Sequence, residues 1–240
     1  MRLIGQGWSF AGLLGISLVL LGGCSKSTES TPTAQTPTTP VTAAVGDRYS
    51  KQVEPSNEPA LVHVKLPEVK QQPTPFVIFT TTHGTFKLRL DTEKAPRTVY
   101  NFVAYINSGH YMNTIFHQVE PGYAILGGGF TEDLQEKPGR YPIPSEANNG
   151  LKNRRGTIAM ARRMDDPNSA TCQFILNLSD NPSLDHQGPE ADKFGFCVFG
   201  EVVEGFETLE KIAAVETRDT ESFAKLPTKA VKVLNVHTQR

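Results

Sequence analysis

The side chains best placed for chemistry lie in one run, Phe116-His117-Gln118-Val119-Glu120-Pro121-Gly122-Tyr123-Ala124-Ile125-Leu126, which ends in Gly127-Gly128-Gly129-Phe130-Thr131. Gln118 contributes a neutral amide with two donor hydrogens, without the charge and fixed fork of a guanidinium. Other chemistries find less support. His63, His83, His110, His117, His186 and His237 show no metal-ligand spacing, and His117 reads as a structural partner within a strand rather than a base. The triple glycine precedes neither a Gly-Lys-Ser/Thr motif nor a strand-to-helix dinucleotide context, so it reads as a tight turn beside a groove. Asp165-Asp166-Pro167-Asn168 lacks the glycine and terminal glutamate of a calcium loop, and Glu146 fits a capping or loop role better than that of a general base. No metal or cofactor is expected.

Positioning these residues requires a scaffold of short strands. Phe76 to Thr82 and Thr85 to Leu90 are β-rich runs flanking His83-Gly84, the pattern of a hairpin. Pro96 then opens a helical period, with Val99, Phe102, Val103 and Ile106 on one face before Gly109. Short apolar runs follow at Ile115 to Val119, Tyr123 to Leu126, Thr157 to Ala161, Gln173 to Leu178 and Phe196 to Val203, separated by glycine and proline. A second helix is predicted from Gly205 to about Ala214, and a closing strand from Ala230 to Val236. The class is mainly β, an antiparallel sheet closing into a sandwich or barrel.

Lysine and arginine total 24 against 25 acidic residues, which excludes a strong global pull toward nucleic acid or anionic lipid. Residues 1–23 read as an export signal: Arg2, an apolar core from Phe10 to Leu21, then Leu21-Gly22-Gly23 before Cys24. The apolar stretch is short for a bilayer span. Leu-Gly-Gly-Cys resembles a bacterial lipobox, which implies lipidation of Cys24 and a membrane anchor; the alternative is an ordinary cleaved signal. Ser25 after that cysteine favours the outer over the inner membrane by the enteric sorting rule. Residues 24–75 form a tether and extension. Its first part is mainly Ser, Thr and Pro with little to bury, and Leu61 to Leu66 adds an edge strand or stays loose. The folded domain spans residues 76–240, and its Cys172 and Cys197 read as buried unpaired thiols in a compartment that permits disulfides.

Several segments carry a family resemblance. They are Ala95-Pro96 with Asn101-Phe102, Phe116-His117 with Pro121-Gly122, the triple glycine with Phe130-Thr131, Gly156-Thr157-Ile158-Ala159-Met160-Ala161, Ser169 to Ile175, Leu184-Asp185 and Val198-Phe199-Gly200. In order and spacing they resemble the cyclophilin-type peptidyl-prolyl isomerases, above all the bacterial periplasmic members. That resemblance implies an eight-stranded antiparallel barrel capped by a helix at each end. It also implies catalysis of rotation about the bond preceding proline, whose barrier is roughly 18 to 20 kcal/mol because of partial double-bond character.

In that family an apolar slot grips the proline ring while an arginine donates toward the prolyl nitrogen and a neighbouring carbonyl. Here Gln118 holds the arginine position. The implied substrate-binding set is Phe116, Tyr123, Ala124, Leu126, Ala161, Arg162, Gln173, Ile175, Ser183, Leu184 and Phe196, with Phe116 and Phe174 bracing from behind. Tyr123, Ala124, Leu126 and Ile175 stand where phenylalanine, methionine, glutamine and phenylalanine are usual, so a wider slot with a thinner polar lining is expected. Ser183 and Phe196 replace a tryptophan of many eukaryotic members and a histidine. Arg162 or Arg163 either swings in as a substitute cation or rims the groove in a solvated loop. The resemblance implies a monomeric isomerase of exported or outer-membrane proteins acting on proline-containing segments, or a proline-peptide-binding adaptor that has lost most turnover.

Overall fold

The computed structural model describes residues 75–239. Phe76–Thr81 (β1) and Gly84–Leu90 (β2) form the expected hairpin, with Val77, Phe79, Phe86, Leu88 and Leu90 turned inward by strand alternation. Pro96–Asn107 (α1) buries Val99, Phe102, Tyr105 and Ile106. Ala95 offers this helix no side-chain cap. The Glu146 carboxylate takes that part, accepting from Arg97 N (3.2 Å), Thr98 N (2.9 Å) and Thr98 Oγ1 (2.8 Å). A negative group there satisfies orphan N–H groups and complements the helix dipole. Glu146 is thus the cap read for it in the sequence, and it ties a distant loop to α1.

Thr114–Glu120 (β3), Ala124–Thr131 (β4), Thr157–Met160 (β5), Phe174–Asn177 (β6) and Val198–Glu204 (β7) follow. Phe206–Ala213 (α2) lies inside the predicted span and is flanked by Gly205 and Ala214 as caps. Thr217–Arg218 (β8) and Leu226–Pro227 (β9) pair as a small arm before Val233–Gln239 (β10). The eight other strands form one antiparallel sheet in the order β10-β1-β2-β7-β5-β6-β4-β3. It curls until its edges meet: Asn113 N donates to Val233 O (2.9 Å), Phe116 N to Val231 O (3.0 Å) and Val119 N to Lys225 O (3.0 Å). The predicted eight-stranded barrel with two helices is therefore present as a curled sheet closed by loop contacts. Inside lies one core, where Phe79, Phe102, Tyr111, Phe174 and Phe199 pack with Leu209 and Ile212 of α2.

Two expectations need correcting. The triple glycine is no turn; it lies within β4. Gly128 adopts φ +90°, and a Cβ there would stand 2.8 Å from the Phe174 ring and 2.9 Å from Tyr111, while one on Gly129 would stand 2.6 Å from Gln173 Cγ. Missing side chains let two rings and an amide cross the strand in close contact. The β8–β9 arm was not expected, since two-residue strands, one ending in Pro227, have no readable period. The signal, Cys24, the tether and the Leu61 to Leu66 run lie outside the described residues.

Candidate active site

The site is built on the outer face of the sheet by a break in strand register. Phe116 pairs with Gly127 and Gln118 with Leu126, so His117 is an extra residue on β3. Without it Phe116 and Gln118 would share a face; with it Phe116 and Val119 both enter the main core and Gln118 turns outward. Leu126 then pairs with Ile175, Ile175 with Ala159, and Ala159 with Val198. Cross-strand partners share a face. Gln118 therefore ends a continuous row of apolar side chains crossing β3, β4, β6, β5 and β7. At roughly 4.8 Å per strand, its Cα lies about 10 Å from that of Ile175.

This row joins Ala124, Ala161, Leu184 and Phe196 in a second apolar cluster, distinct from the main core, with Tyr123 and Leu151 packed at its margin. Its floor is closed, Ile175 being 1 % and Phe196 3 % exposed. Leu184 and Phe196 pack in this cluster against Ala124, Ala161 and Ile175. Gln118 is 8 % exposed, and its side-chain amide makes no hydrogen bond with the described residues. Gln173 lies across Gly129 and its carbonyl accepts from Ala161 N (2.9 Å). Ser183 sits exposed in the single 3-10 turn Pro182–Leu184 at the rim.

Phe116 and Arg162 are not where a substrate contact requires them. Phe116 is fully buried in the main core, behind the sheet, because the bulge turns it inward. Its ring packs edge-on against Phe174, with centroids 6.3 Å apart, and its burial is at odds with the binding role expected for it. Arg162 is neither a substitute cation nor a solvated rim residue: it is 2 % exposed and donates to the backbone carbonyls of Gly195, Arg163, Met164 and Ala191. Arg163 is held in ion pairs with Asp165 and Asp166. Burial lowers the Arg162 pKa, opposed by the charges of Asp166, Asp165 and Asp192.

Three buried asparagines that the sequence reading passed over hold the walls. Asn153 Nδ2 donates to Leu184 O (3.0 Å) and Phe196 O (3.4 Å), Asn177 Nδ2 to Asn153 Oδ1 (3.2 Å), and Asn181 Nδ2 to Asn177 Oδ1 (2.8 Å) and Tyr123 O (3.0 Å). Amides linked in a low-dielectric setting rigidify what they join, here Tyr123, Leu184 and Phe196. The readable sign was an asparagine inside the apolar run Phe174-Ile175-Leu176-Asn177-Leu178. Cys172 and Cys197 are buried and free; burial raises both thiols, Cys197 to about 11, which keeps them protonated. A separate cleft of about 240 Å³ opens between β3 and residues 226–230, lined by Leu134, Arg218, Leu226 and Ala230 among others. It includes neither Gln118 nor the outer row.

The outer face of the curled antiparallel sheet thus carries a closed apolar row with the Gln118 side chain at one end. Residues 76–238 match the family described as "Cyclophilin type peptidyl-prolyl cis-trans isomerase/CLD". The chain belongs to this family. It is 46% identical over 157 residues to peptidyl-prolyl cis-trans isomerase A of Dickeya dadantii, covering 65% of this chain and 80% of that one. To isomerase B of Escherichia coli it is 48% identical over 141 residues, 59% of this chain and 85% of the other. Among solved structures, a Cryptosporidium parvum cyclophilin crystallised in the presence of the dipeptide Ala-Pro aligns with a TM-score of 0.56 at 26% identity, over 69% of this chain and 99% of that one. This cyclophilin is a peptidyl-prolyl cis-trans isomerase.

The bulge that sets the site also carries a titratable group. His117 is buried against Phe130 and Phe223, its Nδ1 has no hydrogen-bond partner among the described residues, and burial lowers its pKa from 6.5 to about 4. The folded state thus resists a proton that the unfolded chain accepts. Stability from this source is complete above pH 6.5 and declines as pH falls toward 4, by on the order of 3 kcal/mol. Urea unfolding of wild type and His117→Leu across that range should show a flatter pH dependence in the variant; parallel curves would contradict this.

Proposed function

We propose that this cyclophilin is a membrane-tethered isomerase of exported proteins, working below the usual rate of its family because Gln118 stands in the arginine position. The observation that carries the reading is the Gln118 side chain, turned into the apolar row by the His117 bulge and without a hydrogen-bond partner among the described residues. Twisting a prolyl bond removes amide resonance and returns a lone pair to nitrogen. A donor aimed there stabilises the twisted state more than the planar one, which is the condition for acceleration. An amide supplies the donor but not the cation. Removing a single oxyanion-hole donor costs about 10²- to 10³-fold elsewhere, which bounds the effect of weakening one.

The apolar row supplies the grip. Leu126, Ile175 and Ala161 offer a closed hydrocarbon surface for a prolyl ring, and Tyr123 and Gln173 flank it with groups for the adjoining peptide. The adaptor reading shares this grip, and the neutral Gln118 favours it over full activity. For location, support comes from the sequence: Leu21-Gly22-Gly23-Cys24 resembles a lipobox, and residues 24–75 would space the domain from a membrane. The outer membrane, through Ser25, is the favoured site, and clients are proline-containing segments of proteins passing through the envelope.

A protease-free exchange assay on a proline peptide should find wild type active and Gln118→Arg faster by about tenfold or more. Equal, near-family rates for both proteins would overturn the role given to Gln118, and binding without acceleration in wild type would favour the adaptor. Expressed in bacteria, the full chain should fractionate with membranes and Cys24→Ala should leave them; a membrane-bound Cys24→Ala protein would contradict the anchor.

A further inference from the structure

Arg162 is a charge in a place that stability alone does not explain. Arg162 is 2 % exposed and among the described residues hydrogen-bonds no carboxylate, although the charges of Asp166, Asp165 and Asp192 act on it. Burying a cation without a paired anion is costly, and an apolar side chain of similar volume is commonly tolerated better. What Arg162 does have is a fixed set of acceptors on two loops. Nη1 donates to Arg163 O (2.7 Å) and Met164 O (3.2 Å) in its own loop, while Nε donates to Gly195 O (2.6 Å) and Nη2 to Ala191 O (2.8 Å) across the gap. Its Cζ stands 5.0 Å from the Phe196 ring centroid.

The chain neighbours of these contacts are the walls of the slot. Ala161 precedes Arg162, and Phe196 follows Gly195; both belong to the outer cluster. The far loop is already compact, with Phe196 N donating to Leu184 O (2.8 Å) and Gln187 N to Lys193 O (2.9 Å). Gly195 lies so close to Asp185 and His186 that a Cβ would fall 2.5 Å from their backbone. These contacts tie the far loop together, and the Arg162 guanidinium joins it to the loop that carries Ala161.

We propose that Arg162 is a positioning residue that sets the spacing between Ala161 and Phe196, and through it how tightly the slot holds a prolyl ring. The inference rests on the reading of the outer row as the proline slot. Only a planar fork with divergent donors spans both loops, so lysine, which keeps the charge, does not replace it. A loosened slot weakens planar and twisted substrate alike, so the change falls on KM and leaves kcat in place.

Arg162→Lys and Arg162→Met should each raise KM for a proline peptide by about ten- to a hundredfold with kcat within about twofold of wild type. Where turnover is too slow, Kd from chemical-shift titration replaces KM. A merely structural Arg162 would lower the folded fraction, reducing the maximal rate at constant KM, and restoration of KM by lysine would mean that charge, not geometry, matters. Either result overturns the proposal. A measurement on the wild type does not depend on the variants folding: the Arg162 Nε–H resonance should stay protected from exchange with and without peptide and should shift on binding. Loss of protection in the complex would mean that binding opens the contact to Gly195, and no shift would make Arg162 remote; both contradict the proposal. If wild type neither binds nor turns over proline peptides, the slot reading itself fails. If it does and both variants keep its constants, only this inference fails.

Discussion

The placement of one extra residue on β3 decides what this molecule can do. A strand alternates its side chains, so Phe116, Gln118 and Glu120 would point one way and His117 and Val119 the other. The core needs Phe116 and Val119, and the site needs Gln118. Inserting His117 between pairs satisfies both, because a bulge resets the alternation at the cost of one unpaired residue. That residue is accommodated by aromatic contact with Phe130 and Phe223, and its imidazole stays neutral there. Opposite it, Gly128 and Gly129 let Phe174, Tyr111 and Gln173 approach the deformed ladder.

From this register two apolar layers follow on opposite faces of the same strands. Phe174 and Leu176 of β6 enter the main core, while Ile175 between them floors the slot. The inner layer fixes the outer one by covalent alternation, so core packing is transmitted directly to the site. The walls, which leave the sheet, need other means. The Asn153, Asn177 and Asn181 amides tie Tyr123, Leu184 and Phe196 together, and the Arg162 guanidinium links the loops that bear Ala161 and Phe196. Glu146 anchors the segment leading to Asn149, whose Nδ2 donates to Val198 O (3.0 Å) at the end of the row.

Elements that show a period were legible in the sequence: the first hairpin and both helices lie where alternation or helical spacing put them, because each buries one face locally. Of the outer row, Gln118, Leu126 and Ile175 were named through family resemblance, whereas Ala159 and Val198 join it only through the strand pairing. What escaped was set by long-range contact. Three glycines look like a turn until the rings that need their space are in view. Arg162 looks like a loop cation because the carbonyls of Ala191 and Gly195 are far along the chain. Phe116 looks like a pocket residue until the bulge turns it inward. The β8–β9 arm carries too few residues to show any pattern.

The central claim is that the face bearing Gln118 and Ile175, and no other, receives the prolyl ring. The most direct measurement is isotope-filtered nuclear Overhauser contact between a bound proline peptide and the methyl-labelled protein. The account predicts contacts from the prolyl ring to Leu126, Ala161, Ile175 and Leu184, with the Gln118 side-chain amide shifting on binding. Contacts confined to Leu134 and Leu226 in the cleft between β3 and residues 226–230 would contradict it.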